Sequence, residues 1–128
     1  MNVLLWALQI LLAVYFGLTG ILHFVVPPGL PAPMAWMHAL SGGLHALSGT
    51  AEILAAVGLI LPSLTRIAPR LTPLAASGLV LVMTGAVVWH LGRGESASMV
   101  MNMALAILAA FVAYGRWRLK PIPARSPA

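Results

Sequence analysis

Apolar residues run along this chain in stretches too long for a strand and longer than a soluble helix needs. The first stretch, residues 3–26, carries no charged side chain. At a helical rise of about 1.5 Å per residue it exceeds the roughly 30 Å of a bilayer's hydrocarbon. Three further stretches follow at 44–61, 71–91 and 98–114. Pro27 and Pro28 close the first and Pro62 the second, because proline lacks the amide donor that a continuing helix uses. Pro73 falls in the first turn of the third, where that loss is tolerated, and Gly92 with Gly94 breaks the chain before the fourth. Between the first two stretches lies an uncharged loop with Pro31, Pro33, Met34, Trp36, Met37 and His38. It reads as a short interfacial helix opened by Pro33. The later loops are short, so consecutive helices pack antiparallel. The pattern predicts an all-α integral membrane protein: an up-and-down four-helix bundle with a short interfacial segment between helices 1 and 2. Residues 1–120 form one transmembrane domain, and 121–128 a loose, proline-rich cytoplasmic tail.

Composition agrees and narrows the chemistry. Of 128 residues, 61% are hydrophobic and 7% charged, and there is no cysteine; soluble domains carry about 25% charged residues. The mean hydropathy is +0.99. Without cysteine there is no disulfide, thiol exchange, thiolate zinc site or cysteine-ligated iron–sulfur cluster. The net charge of +5 comes from bases too few and too dispersed to track a nucleic-acid backbone, so nucleic acid is not an expected partner. The first stretch lacks the basic leader and small-residue cleavage pattern of a secretory signal and reads as a retained span. With four crossings, Arg66, Arg70, Arg116, Arg118, Lys120 and Arg125 share one side and Arg93 takes the other. Basic residues favour the cytoplasm, which places both termini there in a bacterial inner membrane.

Polar residues inside the spans are costly and therefore informative. Glu52 lies near the middle of span two, on one helical face with His45, Ser48 and Gly49. Span one brings Tyr15, Thr19 and His23 at steps of four, span three ends with His90, and span four opens with Ser98 and Asn102. All fall in the outer half of the membrane. They predict an outward-facing polar pocket with Glu52 at its floor and Thr19, His23, His45, Ser48, His90 and Asn102 around it. The plainer alternative is a protonated Glu52 hydrogen-bonded across helices as a packing clasp, a contribution of about 1 kcal/mol. His38 reads as solvated, and Glu95 as either a solvated partner of Arg93 or a cap on the fourth helix. Met34, Met37, Met99, Met101 and Met103 also lie outward, but Met101 points away from Met99 and Met103, so no copper or other metal site is expected. Gly78 and Gly85, with Ala106, Ala109, Ala110 and Ala113, read as close-packing surfaces.

The sequences Gly17-Leu18-Thr19-Gly20-Ile21-Leu22-His23, Gly49-Thr50-Ala51-Glu52-Ile53-Leu54, Gly58-Leu59-Ile60-Leu61-Pro62 and His90-Leu91-Gly92-Arg93-Gly94-Glu95, with Asn102, resemble the DoxX-like family of small bacterial membrane proteins. The resemblance runs to about Trp117. It implies four transmembrane helices and a family name inherited from a subunit of a thiosulfate:quinone oxidoreductase, without implying that reaction. Many relatives carry lysine where His23 stands, so any pairing with Glu52 here is with an imidazole, which switches with pH. The leading expectation is an accessory or binding subunit linked to quinone or redox and stress metabolism. Its surroundings would be the bilayer, an amphipathic small molecule such as a quinone, and a membrane redox partner or further copies of itself. Two alternatives stand beside it: a membrane-embedded acid/base enzyme on a lipid-soluble substrate, and a small proton-coupled transporter.

Overall fold

A computed structural model describes residues 1–127. Four long helices follow one another: α1 Asn2–Leu22, α2 Gly42–Thr65, α3 Leu71–Gly92 and α4 Ser96–Tyr114. A 3₁₀ segment, Ala32–Ala39, lies between α1 and α2, and a π turn, Gly115–Leu119, continues α4. No strand occurs among the described residues. Each long helix is apolar and long enough to cross a membrane. The protein is an all-α four-helix membrane bundle.

The neighbours in sequence are the neighbours in space: α1 packs on α2, α2 on α3 and α3 on α4, while α4 returns to α1 over a much smaller contact. The shared core is narrow, built from Leu12, Phe16, Leu59, Leu79, Ala109 and Val112, all almost fully buried. Leu47, Leu81 and Ile107 lie two-thirds or more exposed on the outside, as expected where lipid, not water, is the solvent.

Close approach of the helices depends on particular glycines. A methyl group at Gly49 would sit 2.8 Å from the His23 Cβ and 2.9 Å from the Gly20 carbonyl, and one at Gly20 would sit 3.1 Å from the Gly49 carbonyl. The α1 and α2 backbones therefore touch at this crossing. Gly58 makes room for α3 in another way: a methyl there would sit 2.7 Å from the Ala75 Cβ. Gly78 and Gly85 do not serve as expected: a methyl at either meets nothing within 4 Å. Of the alanines, Ala109 is buried, Ala106 and Ala113 are partly buried and Ala110 is exposed.

Two helix ends also differ from the pattern. Helix α1 stops at Leu22, before the prolines, because the chain tightens into turns in which Phe24 and Val25 donate to Ile21 and Leu22. Pro62 does not end α2; the helix runs on to Thr65. The Gly58 carbonyl, left without its usual donor by Pro62, accepts instead from the Thr72 hydroxyl of α3 at 3.0 Å. That replacement bond is what lets proline sit inside a membrane helix. The 3₁₀ segment carries Pro33 in its first turn, as expected. The tail forms no helix, and it is tied to Arg66, whose guanidinium donates to the Pro123 and Ala124 carbonyls.

Candidate functional site

The glycine crossing of α1 and α2 sets the distances at Glu52. Its carboxyl is 5% exposed and lies 2.7 Å from the Thr19 hydroxyl. That hydroxyl is also 3.1 Å from the Tyr15 carbonyl; with one hydrogen, it donates to one of them at a time. The other carboxyl oxygen stands 3.6 Å from His23 Nε2, a contact that is ionic only when the imidazole is protonated. His23 Nδ1 meets His45 Nδ1 at 2.8 Å, and His45 Nε2 lies 2.9 Å from the Met37 carbonyl of the 3₁₀ segment. Spacing along α2 places His45 two helical turns from Glu52 on the same face, which is why one histidine from α1 can bridge them.

The Met37 carbonyl determines how protons are arranged along this row. A carbonyl only accepts, so His45 Nε2 carries a hydrogen. If His45 is neutral, its Nδ1 accepts and His23 Nδ1 donates. His23 Nε2 then either accepts from a protonated Glu52 or, in an imidazolium, faces a carboxylate. If His45 is instead the imidazolium, its Nδ1 donates and neutral His23 turns its Nε2–H to the carboxylate. These arrangements hold one proton beyond the carboxylate and two neutral rings; a carboxylate beside two neutral rings, with Thr19 donating to it, holds none.

Beyond His23 the contacts become aromatic. The Trp36 ring lies 6.1 Å from the His23 ring and 5.1 Å, edge-on, from that of His90. His90 is almost fully buried, and its Nδ1 donates to Glu95 at 3.1 Å. The positive-φ turn at Gly94 brings Glu95 back over His90. Arg93 bonds the same carboxylate and lies over Trp89 at 4.6 Å. Glu95 thus precedes α4 without capping it through its side chain. Desolvation opposes its charge, but hydrogen bonds from Arg93 and His90, with their charges, outweigh it and hold the carboxyl below the usual carboxylate range.

Of the residues expected around the pocket, Glu52, Thr19, His23 and His45 form one connected row, and His90 joins it only through Trp36. No hydrogen bond among the described residues ties Ser48 or Asn102 to it. His38 is exposed. No group of three or more metal-ligating side chains occurs among the described residues. Two contacts go beyond the sequence reading: Trp36, expected only as an interfacial aromatic, packs on His23 and His90, and Glu95, which pairs with Arg93 as expected, also takes His90 five residues back across the turn.

A model of the DoxX-like family matches residues 7–112. The chain belongs to the DoxX-like family. No curated protein and no solved structure matches it. The matched region of this DoxX-like chain holds all four spans' cores and every residue of the Glu52 row, so the row sits within the family's own fold.

Proposed function

We propose that this DoxX-like protein is a membrane-embedded binding subunit that holds a small amphipathic molecule with a quinone-like head beside Glu52 and serves a redox or stress-response partner. The observation that carries this reading is the row from Glu52 through His23 and His45 to the Met37 carbonyl. A quinone head accepts hydrogen bonds when oxidised and donates them when reduced. A carboxyl–imidazole pair sharing a proton can meet both states. Thr19 belongs to the same row and His90 approaches it through Trp36; Ser48 and Asn102 join the proposed lining on their helical spacing alone. The protein lies in the bacterial inner membrane with both termini in the cytoplasm and this pocket facing outward, the orientation favoured by the bases at the terminal end.

The test is binding of a short-chain benzoquinone to the purified protein, followed by quenching of tryptophan fluorescence. Glu52→Gln and His90→Ala, made separately, are each expected to weaken binding by about ten-fold, the loss of roughly one charge-assisted hydrogen bond. Unchanged affinity in both removes the pocket reading. The shared proton also suits a second reading, acid/base turnover of a lipid-soluble substrate. It would show as a converted compound in lipid extracts of cells carrying the wild type but not Glu52→Gln.

A further inference from the structure

At the end of the bundle that bears the termini, a second polar assembly is built around Arg116. Its side chain is 3% exposed. Nε donates to Gln9 Oε1 at 2.5 Å, and Nη1 donates to Asn2 Oδ1 at 2.6 Å and to the Lys120 carbonyl at 3.2 Å. Every acceptor is neutral. Nη2, also buried, has no hydrogen-bond partner among the described residues. Of the chain's two acidic side chains, Glu52 lies near the middle of α2 and Glu95 at the opposite end of the bundle. A buried guanidinium with no counter-charge is unfavourable, and an unsatisfied donor beside it adds to the cost.

The local backbone is shaped to put it there. The π turn closes with Lys120 N donating to the Gly115 carbonyl at 2.7 Å, five residues back, and this wider turn directs Arg116 inward while Trp117, Arg118 and Lys120 stay exposed. Gly115 permits the approach, since the Leu5 side chain occupies the place of a Cβ. Beside the assembly opens a cleft of about 430 Å³, walled by Asn2, Trp6, Ser63, Arg66, Lys120 and tail residues 121–123. Asn2 and Lys120 hold Arg116, and Trp6 lies under its guanidinium at 5.4 Å, so the buried charge and the cleft share a wall. Helix α1 starts at this cleft with no side chain capping its first turn, leaving amide donors and the positive end of its dipole there.

We propose that this cleft binds an anionic phosphate group, with Lys120 as the donor on its wall, Arg116 as the buried positive charge behind that wall, and Arg66 fixing the tail as its far side. A phosphate held by Lys120 supplies, across that wall, the counter-charge that Arg116 lacks among the described residues. Two sources share this chemistry: the headgroup of an anionic phospholipid and free phosphate. The helix ends place the cleft at headgroup depth, which favours the lipid. This inference is independent of the role given to Glu52.

The test uses the full chain in uncharged detergent, with phosphatidylglycerol, phosphatidylcholine and inorganic phosphate as separate probes, read by native mass spectrometry and thermal unfolding. Phosphatidylglycerol is expected to bind saturably and raise the melting temperature, phosphatidylcholine to do neither. Lys120→Gln and Arg116→Gln should each weaken that binding by roughly ten-fold, while Arg118→Gln, which removes an exposed charge of the same sign, should not. Lys120 is exposed, so its variant keeps the test valid should Arg116→Gln fail to fold. Saturation by inorganic phosphate alone, sensitive to the same two variants, supports the site and assigns it to the free anion. Binding of neither phosphatidylglycerol nor phosphate, or equal loss in Arg118→Gln and Lys120→Gln, overturns the proposal.

Discussion

Glu52 shows how a single buried carboxyl organises its surroundings. Thr19 answers one oxygen and His23 the other, and both residues come from α1. Thr19→Val keeps the shape and deletes the donor, and is expected to destabilise the protein by about 1 kcal/mol, the usual scale for a hydrogen bond between membrane helices. Thermal unfolding in micelles measures it; an unaltered midpoint would mean that Glu52 is satisfied without Thr19. Glu95 makes a different prediction because its folded-state pKa lies below the unfolded one. Its ionic contribution is complete above the unfolded value, about 4.3 for glutamate, and is lost as pH falls through the lower, folded value. Glu95→Gln should therefore melt below the wild type at neutral pH, with the gap closing in acid. Glu52 and the histidine-rich half were legible in the sequence because charge and imidazole in an apolar run are conspicuous. Which partner each histidine takes was not, since His90 and His23 sit at equivalent helix ends yet turn to different carboxyls.

At the level of helices, close packing is decided by where two backbones meet, not by where small residues occur. Gly49 and Gly78 look alike in sequence, but only Gly49 faces a backbone. Gly49→Ala is expected to cost about 1–3 kcal/mol through overpacking and to separate Glu52 from Thr19. Gly78→Ala should leave the unfolding midpoint within error or raise it. Pro62 offers a sharper test. Thr72→Val should destabilise the wild type, because the Gly58 carbonyl loses its replacement donor. It should do less harm in Pro62→Ala, where residue 62 can donate again. A double-mutant cycle by thermal unfolding reads the difference; additivity would mean that Thr72 matters only through Ser63, whose hydroxyl it also meets.

For the whole molecule, the lack of cysteine makes orientation measurable with single introduced thiols. Under the proposed orientation, a membrane-impermeant maleimide should label His38→Cys in intact cells and Arg125→Cys only after the membrane is opened. The reverse pattern would invert the protein and place Glu52 towards the cytoplasm. The number of spans and their class were determined by the sequence alone. Those properties depend on transfer free energies that sum along the chain and need no knowledge of neighbours. The tertiary structure decided the rest: that Pro62 stays within a helix, that Gly49 rather than Gly78 is a crossing point, that His23 links Glu52 to His45, and that Arg116 lies buried. Each depends on which atoms lie across an interface, and packing geometry, unlike hydropathy, is not written in any one segment.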